Sequence, residues 1–448
     1  MKLWQGTPDE FLDWLESEDW ELVCYGAGAM AEDVLREPRF AEKVRFFVDG
    51  SSDKQERSFY GERYQVFAPD RLRTEDLSCT ALLITSGWFR EIERELSAWP
   101  ELENVCCAAF PAMLTACTPG SEEFFRRRIL EQCLLEYDSA LRQRGDTDNN
   151  ERKRLLAEKR DFLLGPDPAH RPLVLPRVMI LPTTRCNLRC KGCSSLLPLF
   201  EHPTDIPVEQ NTRDLELLFR SIDGCIRVTV GGEPFLSKTL PELLTYLQEQ
   251  EKVFSVLLIT NSTIQPSPEA LAILQAPKFY VEVSDYGHIQ QMSRTVAALE
   301  GAGVRFRVLT EQVWDDMGGV EPRGRDDTQR REVYRNCEQG WLMKSIFNGK
   351  MHVCARSARM YALDCGYESA HDYFELREED GGEKIRAKIR ALYDLDFTDA
   401  CDRCDLGRLP NKKIPAGVQM AGNMKKSAYT LVRRDEYEAL KRAAGKNQ

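Results

Sequence analysis

Eight residues, Cys186-Asn187-Leu188-Arg189-Cys190-Lys191-Gly192-Cys193, restrict the fold more than any other stretch of the chain. Three thiols spaced C-x3-C-x2-C lie in one short loop, directly after a β-like run over 173–181 that ends in Pro182-Thr183-Thr184. A loop this short can wrap one small inorganic centre and little else. Three thiolates suit a four-iron cluster that leaves one iron without a protein ligand, free to take a substrate or cofactor. Zinc favours paired C-x2-C knuckles, and this spacing is not that.

The run before the loop is one of several. Residues 225–230, 255–260, 279–284 and 304–309 have β character, and the stretches near 208–221, 238–250, 267–275 and 290–301 have helical character. Repeated β-α units predict an open or partial α/β barrel over 171–330, whose chemistry gathers at the C-terminal ends of its strands. Gly231-Gly232-Glu233-Pro234, Thr260-Asn261-Ser262 and Ser284-Asp285 each follow a strand, as the cysteine loop does. All four loops are expected to meet at one mouth. Trp314-Asp315-Asp316, after the last barrel strand, is a candidate for the substrate pocket.

A second set of thiols follows. Two β-like runs flank Asn348-Gly349, a hairpin signal that would bring Cys337 near Cys354. Cys401 and Cys404 add a C-x2-C knuckle, and four thiolates from a hairpin and a knuckle can close a metal site completely. This region, 331–410, is expected to be a small α+β domain.

Residues 1–118 alternate strand and helix as a small parallel α/β domain of Rossmann-like pattern. Gly26-Ala27-Gly28-Ala29-Met30-Ala31 stands between a strand (20–25) and a helix, with Asp49 21 residues past Gly28. In that context such a turn holds a diphosphate; a tight turn without a ligand is the competing reading. Residues 119–170 are expected to be a helical connector with a solvated, charged face, ending in a linker at 165–168. The tail, 411–448, is expected to be a surface element with a short helix near 434–444.

Fifteen cysteines in a chain of net charge −11 are read as metal ligands and small buried hydrophobes, not disulfides. Cys24, Cys79, Cys106, Cys107, Cys117 and Cys133 belong to the second kind. The acidic balance argues against nucleic acid or an anionic membrane as partner. No apolar run approaches the roughly 18 residues of a membrane span, and the acidic N-terminus is unlike a signal peptide. A cytoplasmic protein is expected.

CNLRCKGC, followed 38 residues later by GGEP, resembles the radical S-adenosylmethionine (SAM) enzymes over about 173–309. The resemblance makes the barrel a partial (βα)6 barrel and implies a [4Fe-4S] cluster on Cys186, Cys190 and Cys193, with SAM chelated to the fourth iron and cleaved to a 5′-deoxyadenosyl radical. It also implies that Gly231, Gly232, Glu233 and Pro234 line SAM, Glu233 accepting from its ammonium group, with Asn261, Ser284 and Asp285 on further strands. Two departures stand out: Gly192 where the family usually has an aromatic residue, and Ser262 where it has glycine. The first puts the packing of adenine in doubt. The later thiols, Cys337, Cys354, Cys401 and Cys404, resemble the Twitch form of the SPASM extension, which implies one auxiliary [4Fe-4S] cluster; structural zinc is the alternative.

The turn at Gly26 and Gly28 with Asp49 is similar to the N-terminal domains of sugar-modifying enzymes that bind nucleotide sugars. The combined resemblance implies chemistry on a sugar, polyol or nucleotide-linked sugar, with electrons from an external donor such as flavodoxin or ferredoxin. A peptide- or protein-modifying maturase is the alternative. A third reading makes the N-terminal domain a partner-binding module and the last four thiols a zinc site. In family epimerases a cysteine returns a hydrogen atom to the substrate. Cys225 and Cys365 are the candidates, against the plainer reading that both are ordinary thiols.

Overall fold

The computed structural model describes residues 1–420 apart from 5, 7, 36, 57, 61–62, 87–88, 114–128, 166–170, 311 and 409–411. It divides into two compact units, Met1–Phe124 and Phe125–Gln448. Cys117, most of the 165–168 linker and the helix expected near 434–444 lie outside the described residues.

The first unit is built on one sheet of β1 (Lys2–Leu3), β2 (Glu21–Tyr25), β3 (Val44–Val48), β4 (Ser58–Phe59), β5 (Tyr64–Phe67), β6 (Thr80–Ile84) and β7 (Cys106–Ala109). Their order is β1-β7-β6-β2-β3-β5-β4, parallel except for the β4–β5 pair. The central strands are apolar on both faces because packed side chains cover both. One face carries Phe11, Leu12 and Leu15 of the helix Pro8–Ser17, the other Leu96 and Leu102. The chain moves outward from β2 to β3 and then returns to β6 on the other side of β2, which makes the β2–β6 boundary a topological switch point. Cys24 and Cys107 are buried there as small hydrophobes, and burial pushes both thiols up; Cys79, by contrast, is exposed.

The second unit holds β8 (Val174–Ile180), β9 (Gly224–Val230), β10 (Val253–Thr260), β11 (Phe279–Ser284), β12 (Phe306–Leu309), β13 (Val313–Asp315), β14 (Met343–Phe347), β15 (Lys350–His352), β16 (Tyr373–Glu375) and β17 (Lys413–Pro415). One sheet runs β12-β11-β10-β9-β8-β14-β15-β16. Helices Val208–Ser221, Leu240–Glu249, Pro268–Leu274 and Ile289–Gly301 connect the parallel strands and bury Leu215, Leu218, Leu243, Leu247 and Leu274 against them.

The expected hairpin forms, with Asn348 at φ 45° and Gly349 at φ 79°, the positive values a type I′ turn demands. It does not form a sheet of its own. β14 pairs in parallel with β8, from Met343 opposite Arg177 to Ile346 opposite Ile180, and so supplies the sixth parallel strand beside β8–β12.

The helix Glu131–Arg144 departs from the solvated face expected of it, since Cys133, Glu136, Tyr137, Ala140 and Leu141 are buried against β8 and β9. Glu136 Oε1 lies 2.6 Å from Arg177 Nη2, and its Oε2 lies 3.0 Å from Nε of Arg227, which is 1% exposed. Glu136 supplies the counter-charge for two strand arginines. Among the described residues no helix is long and apolar enough to cross a membrane.

Candidate cluster and cofactor site

The loops after β8, β9 and β10 do converge, and hydrogen bonds tie them together. The amide of Asn261 donates to Glu233 Oε2 at 2.8 Å, and Thr260 Oγ1 donates to Glu233 Oε1 at 2.8 Å. Asn261 Nδ2 reaches the other way, to Asn187 Oδ1 at 3.0 Å and to the Cys186 sulfur at 3.5 Å. One asparagine thus joins the Gly-Gly-Glu-Pro turn to the cysteine loop.

Glu233 is 1% exposed, and burial pushes its carboxyl up to about 7 against three hydrogen bonds that hold it down. A carboxylate so placed gains most from a cationic partner. The two glycines beside it differ. Gly232 has φ +83°, and a Cβ there would lie 2.5 Å from the Thr183 carbonyl oxygen. At Gly231 a Cβ would meet nothing closer than the Met179 sulfur at 3.5 Å. Pro234 is buried at the start of a short 3-10 turn capped by Glu233. Ser262 takes φ 63°, the left-handed conformation that glycine supplies more cheaply. Its hydroxyl donates to the Ser284 carbonyl at 3.1 Å, and its own carbonyl accepts from Thr295 Oγ1 at 2.9 Å, which hold the strained turn in place. Ser284 ends β11, buried; Asp285 follows, its carboxylate accepting from the Gly287 amide at 2.9 Å.

In the metal-free chain the three thiols of the loop are costly to ionise. Burial first, and then the charge of Glu233 and the Cys193 sulfur, push Cys186 up to about 11; burial and the Cys193 sulfur push Cys190 up to about 12; burial also raises Cys193, against the amides of Leu197 and Ser195. Crowded thiols of this kind become thiolates when a metal compensates the charge. Among the described residues, the group of three or more His, Cys, Asp or Glu ligand atoms within a mutual 4.8 Å is that of His371, Asp372 and Asp399. Neither cysteine set closes that far.

No family model matches the chain. Over 140 residues it is 31% identical to GTP 3′,8-cyclase of Xanthomonas axonopodis pv. citri, covering 26% of this chain and 40% of that one. Over 120 residues it is 29% identical to Fe-coproporphyrin III synthase of Methanosarcina barkeri, covering 27% and 29%. These likenesses support a member of the radical SAM superfamily. It spans less than half the length of these curated relatives. Among solved structures, SuiB of Streptococcus suis bound to S-adenosylmethionine aligns at 17% identity and a TM-score of 0.26, over 36% of this chain and 38% of that one.

The cysteine loop has a neighbour that the sequence did not suggest. Residues 412–420, expected as part of a surface tail, run against it. The Lys191 amide donates to the Val418 carbonyl at 2.7 Å, the Met420 amide to the Arg189 carbonyl at 2.8 Å, and Gln419 Nε2 to the Cys190 sulfur at 3.1 Å. Ile414 of β17 fills the space beside Gly192, where a Cβ would fall 2.1 Å from its Cδ1. The departure at Gly192 therefore has a local cause: φ is +68° and the room beside it is taken. Tyr286 is also at this mouth; its ring meets Trp314 edge to face at 5.5 Å and packs on Gly417.

The four later thiols lie within electrostatic reach of one another. Cys337 starts the helix Glu338–Leu342 and Cys354 the helix Ala355–Ala362, where its sulfur accepts from the Ser357 amide at 3.5 Å. The charges of Cys354 and Cys404 bear on Cys337, and those of Cys337, Cys404 and Cys354 on Cys401. The knuckle is pinned by Arg325, whose Nη1 donates to the Cys404 carbonyl at 2.6 Å and whose Nη2 pairs with Asp405. Arg359, fully buried, stands within electrostatic reach of both Cys193 and Cys354.

Cys225 is not brought to the mouth. It starts β9 at the opposite end, buried in the helix-facing core, with its thiol 3.3 Å from the Arg227 carbonyl. Cys365 is half-buried behind the loop, beside Leu196, Leu199 and Met360, its thiol 3.4 Å from the Met360 carbonyl.

In the first unit, Gly26, Gly28, Asp49, Lys54, Thr85 and Ser86 line a cavity of about 430 Å³ at the switch point. Gly26 takes φ +112° with the Thr85 carbonyl 2.8 Å from where a Cβ would sit. Asp49 is occupied within the fold: its carboxylate accepts from the Ala27 amide at 2.8 Å, the Ser51 amide at 2.9 Å and Lys54 Nζ at 2.9 Å. The acid braces the glycine turn and holds a lysine ammonium over it.

Proposed function

We propose that this chain is a radical SAM enzyme acting on a sugar, polyol or nucleotide-linked sugar, with [4Fe-4S] clusters at both cysteine sets. The observation that carries the enzyme reading is the joining of Cys186, Asn261 and Glu233 by hydrogen bonds at the ends of β8, β9 and β10. When bound, the first cluster supplies an electron that breaks SAM into methionine and a 5′-deoxyadenosyl radical, which removes a hydrogen atom from the substrate.

The chain's own residues prepare that event. Cys186, Cys190 and Cys193 would hold the first cluster through three thiolates. Gly232 lets backbone pass where a side chain would collide, and Glu233 offers a buried carboxylate to an ammonium group. Asn261 keeps the two loops in register, with Ser284 and Asp285 on the next strand. Cys337, Cys354, Cys401 and Cys404 would hold the second cluster through four thiolates, a closed site that would suit electron transfer from a substrate radical and favour oxidation over epimerisation or dehydration.

The sugar reading is supported by the first unit, where the ammonium of Lys54 beside Gly26 and Gly28 suits a phosphate. A small external donor of the flavodoxin or ferredoxin kind would deliver the electron in the reducing cytoplasm. Anaerobic reconstitution should give about eight irons per chain. Cys186→Ala should abolish 5′-deoxyadenosine formation with dithionite, and continued formation would refute the assignment. Deuterium from a labelled sugar or nucleotide sugar should appear in 5′-deoxyadenosine; transfer from a peptide instead would replace the sugar reading with a maturase.

A further inference from the structure

Residues 412–420 touch two of the four loops at the mouth, and they do so through the atoms that matter. Gln419 spans the cysteine loop with both ends of its amide. Its Oε1 accepts from the Arg189 amide at 2.8 Å, and its Nε2 donates to the Cys190 sulfur at 3.1 Å and to the Gly417 carbonyl at 2.7 Å. The backbone on either side pairs with the loop at Lys191 and Arg189. A bridge between Cys190 and Gln419 marks this as a short antiparallel pairing. Further back, Gly417 lies flat on the Tyr286 ring, so that a Cβ there would fall 2.5 Å from it, and β17 is anchored on β13 with Trp314 opposite Ile414. Segment and loop fit one another: Gly192 has no side chain to obstruct Ile414, and Gly417 has none to obstruct Tyr286.

We propose that Gln419 is a positioning residue of the SAM-binding cluster, donating a hydrogen bond to the Cys190 thiolate from a C-terminal strap that completes the cysteine loop. This rests on the reading of Cys186, Cys190 and Cys193 as cluster ligands. An N–H donor on a ligand sulfur draws off negative charge and makes the added electron of the reduced cluster easier to hold. The strap therefore tunes how readily the first cluster is reduced, as well as holding its loop.

The test is an EPR-monitored redox titration of the full chain, in a Cys401→Ala, Cys404→Ala background that lacks the second site. Gln419→Leu removes the acceptor and the donor. Gln419→Glu keeps the acceptor for the Arg189 amide, removes the donor and adds a negative charge beside the sulfur, so it is read against the neutral Gln419→Leu. Both should retain iron, and both should show the reduced-to-oxidised ratio fall threefold or more at a fixed potential, a shift of about 28 mV for one electron. If Gln419→Glu titrates like wild type, the residue only holds the loop and the proposal fails; a change below threefold in both variants also overturns it. Should Gln419→Leu lose its iron, Gln419→Met, which keeps the side-chain length without a donor or a charge, carries the test. A wild-type chain that gives no SAM-responsive [4Fe-4S] signal would instead overturn the cluster reading itself.

Discussion

Gly231 and Gly232 stand side by side in the Gly-Gly-Glu-Pro turn, yet they should respond in opposite ways to alanine. At position 232 the backbone is left-handed, which costs an alanine about 1–2 kcal/mol. The new Cβ would lie 2.5 Å from the Thr183 carbonyl oxygen, a backbone atom that cannot swing aside. Relieving that overlap shifts the β8 loop, at about 1–3 kcal/mol for overpacking. Gly232→Ala should thus destabilise the second unit by about 2–5 kcal/mol. At position 231 a Cβ would meet only ordinary contacts, so Gly231→Ala should be neutral or gain about 0.4–1 kcal/mol from a stiffer unfolded chain. Native-state hydrogen exchange of the β8 and β9 amides in the metal-free protein reads that unit by itself. It should run at least about twenty-fold faster in Gly232→Ala, at 1.4 kcal/mol per tenfold, and no faster than wild type in Gly231→Ala. Equal effects, or the reverse order, would refute the assignment of backbone roles within the turn.

Other consequences can be checked as directly. Glu136→Ala leaves Arg227 buried without its counter-charge and should cost about 3–5 kcal/mol in urea unfolding of the metal-free protein; a loss under about 1 kcal/mol would mean water reaches the pair. Glu233 is pushed up to about 7 from an ordinary 4.5, so its contribution to stability is full below pH 4.5 and is lost as pH rises through about 7. The thermal midpoint of the metal-free protein should show that decline, and Glu233→Gln should remove it; a variant with the wild-type slope would contradict the burial argument. Lys54→Ala should weaken calorimetric binding of a nucleotide sugar by about tenfold, the loss of one charge-assisted contact of roughly 1.5 kcal/mol; unchanged affinity would place the ligand elsewhere.

Much of the site was legible because its signals are local. A three-thiol loop, a Gly-Gly turn and an Asn-Gly hairpin each depend on residues a few positions apart, and the β-α alternation supplies the rule that strand ends converge. What escaped was long-range. Nothing around Met343 announces that it will pair with β8, since a strand's apolar residues do not name their partner. The charged helix Glu131–Arg144 reads as solvated until Arg177 and Arg227 are placed opposite Glu136. Gln419 lies 229 residues from Cys190, and one glutamine in a tail carries no sequence signal. Nothing local shows that Asp49, 21 residues past Gly28, accepts from three donors within its own unit, Ala27, Ser51 and Lys54.

The sequence by itself determined the chemistry available: which thiols could share a centre, which turns need glycine, and where strands alternate with helices. These follow from covalent spacing and backbone conformation, which neighbouring residues set. The tertiary structure decided what surrounds that chemistry. It supplied the sixth strand, the buried counter-charge at Glu136 and the strap across the cysteine loop, because pairing and burial join residues that no local pattern relates.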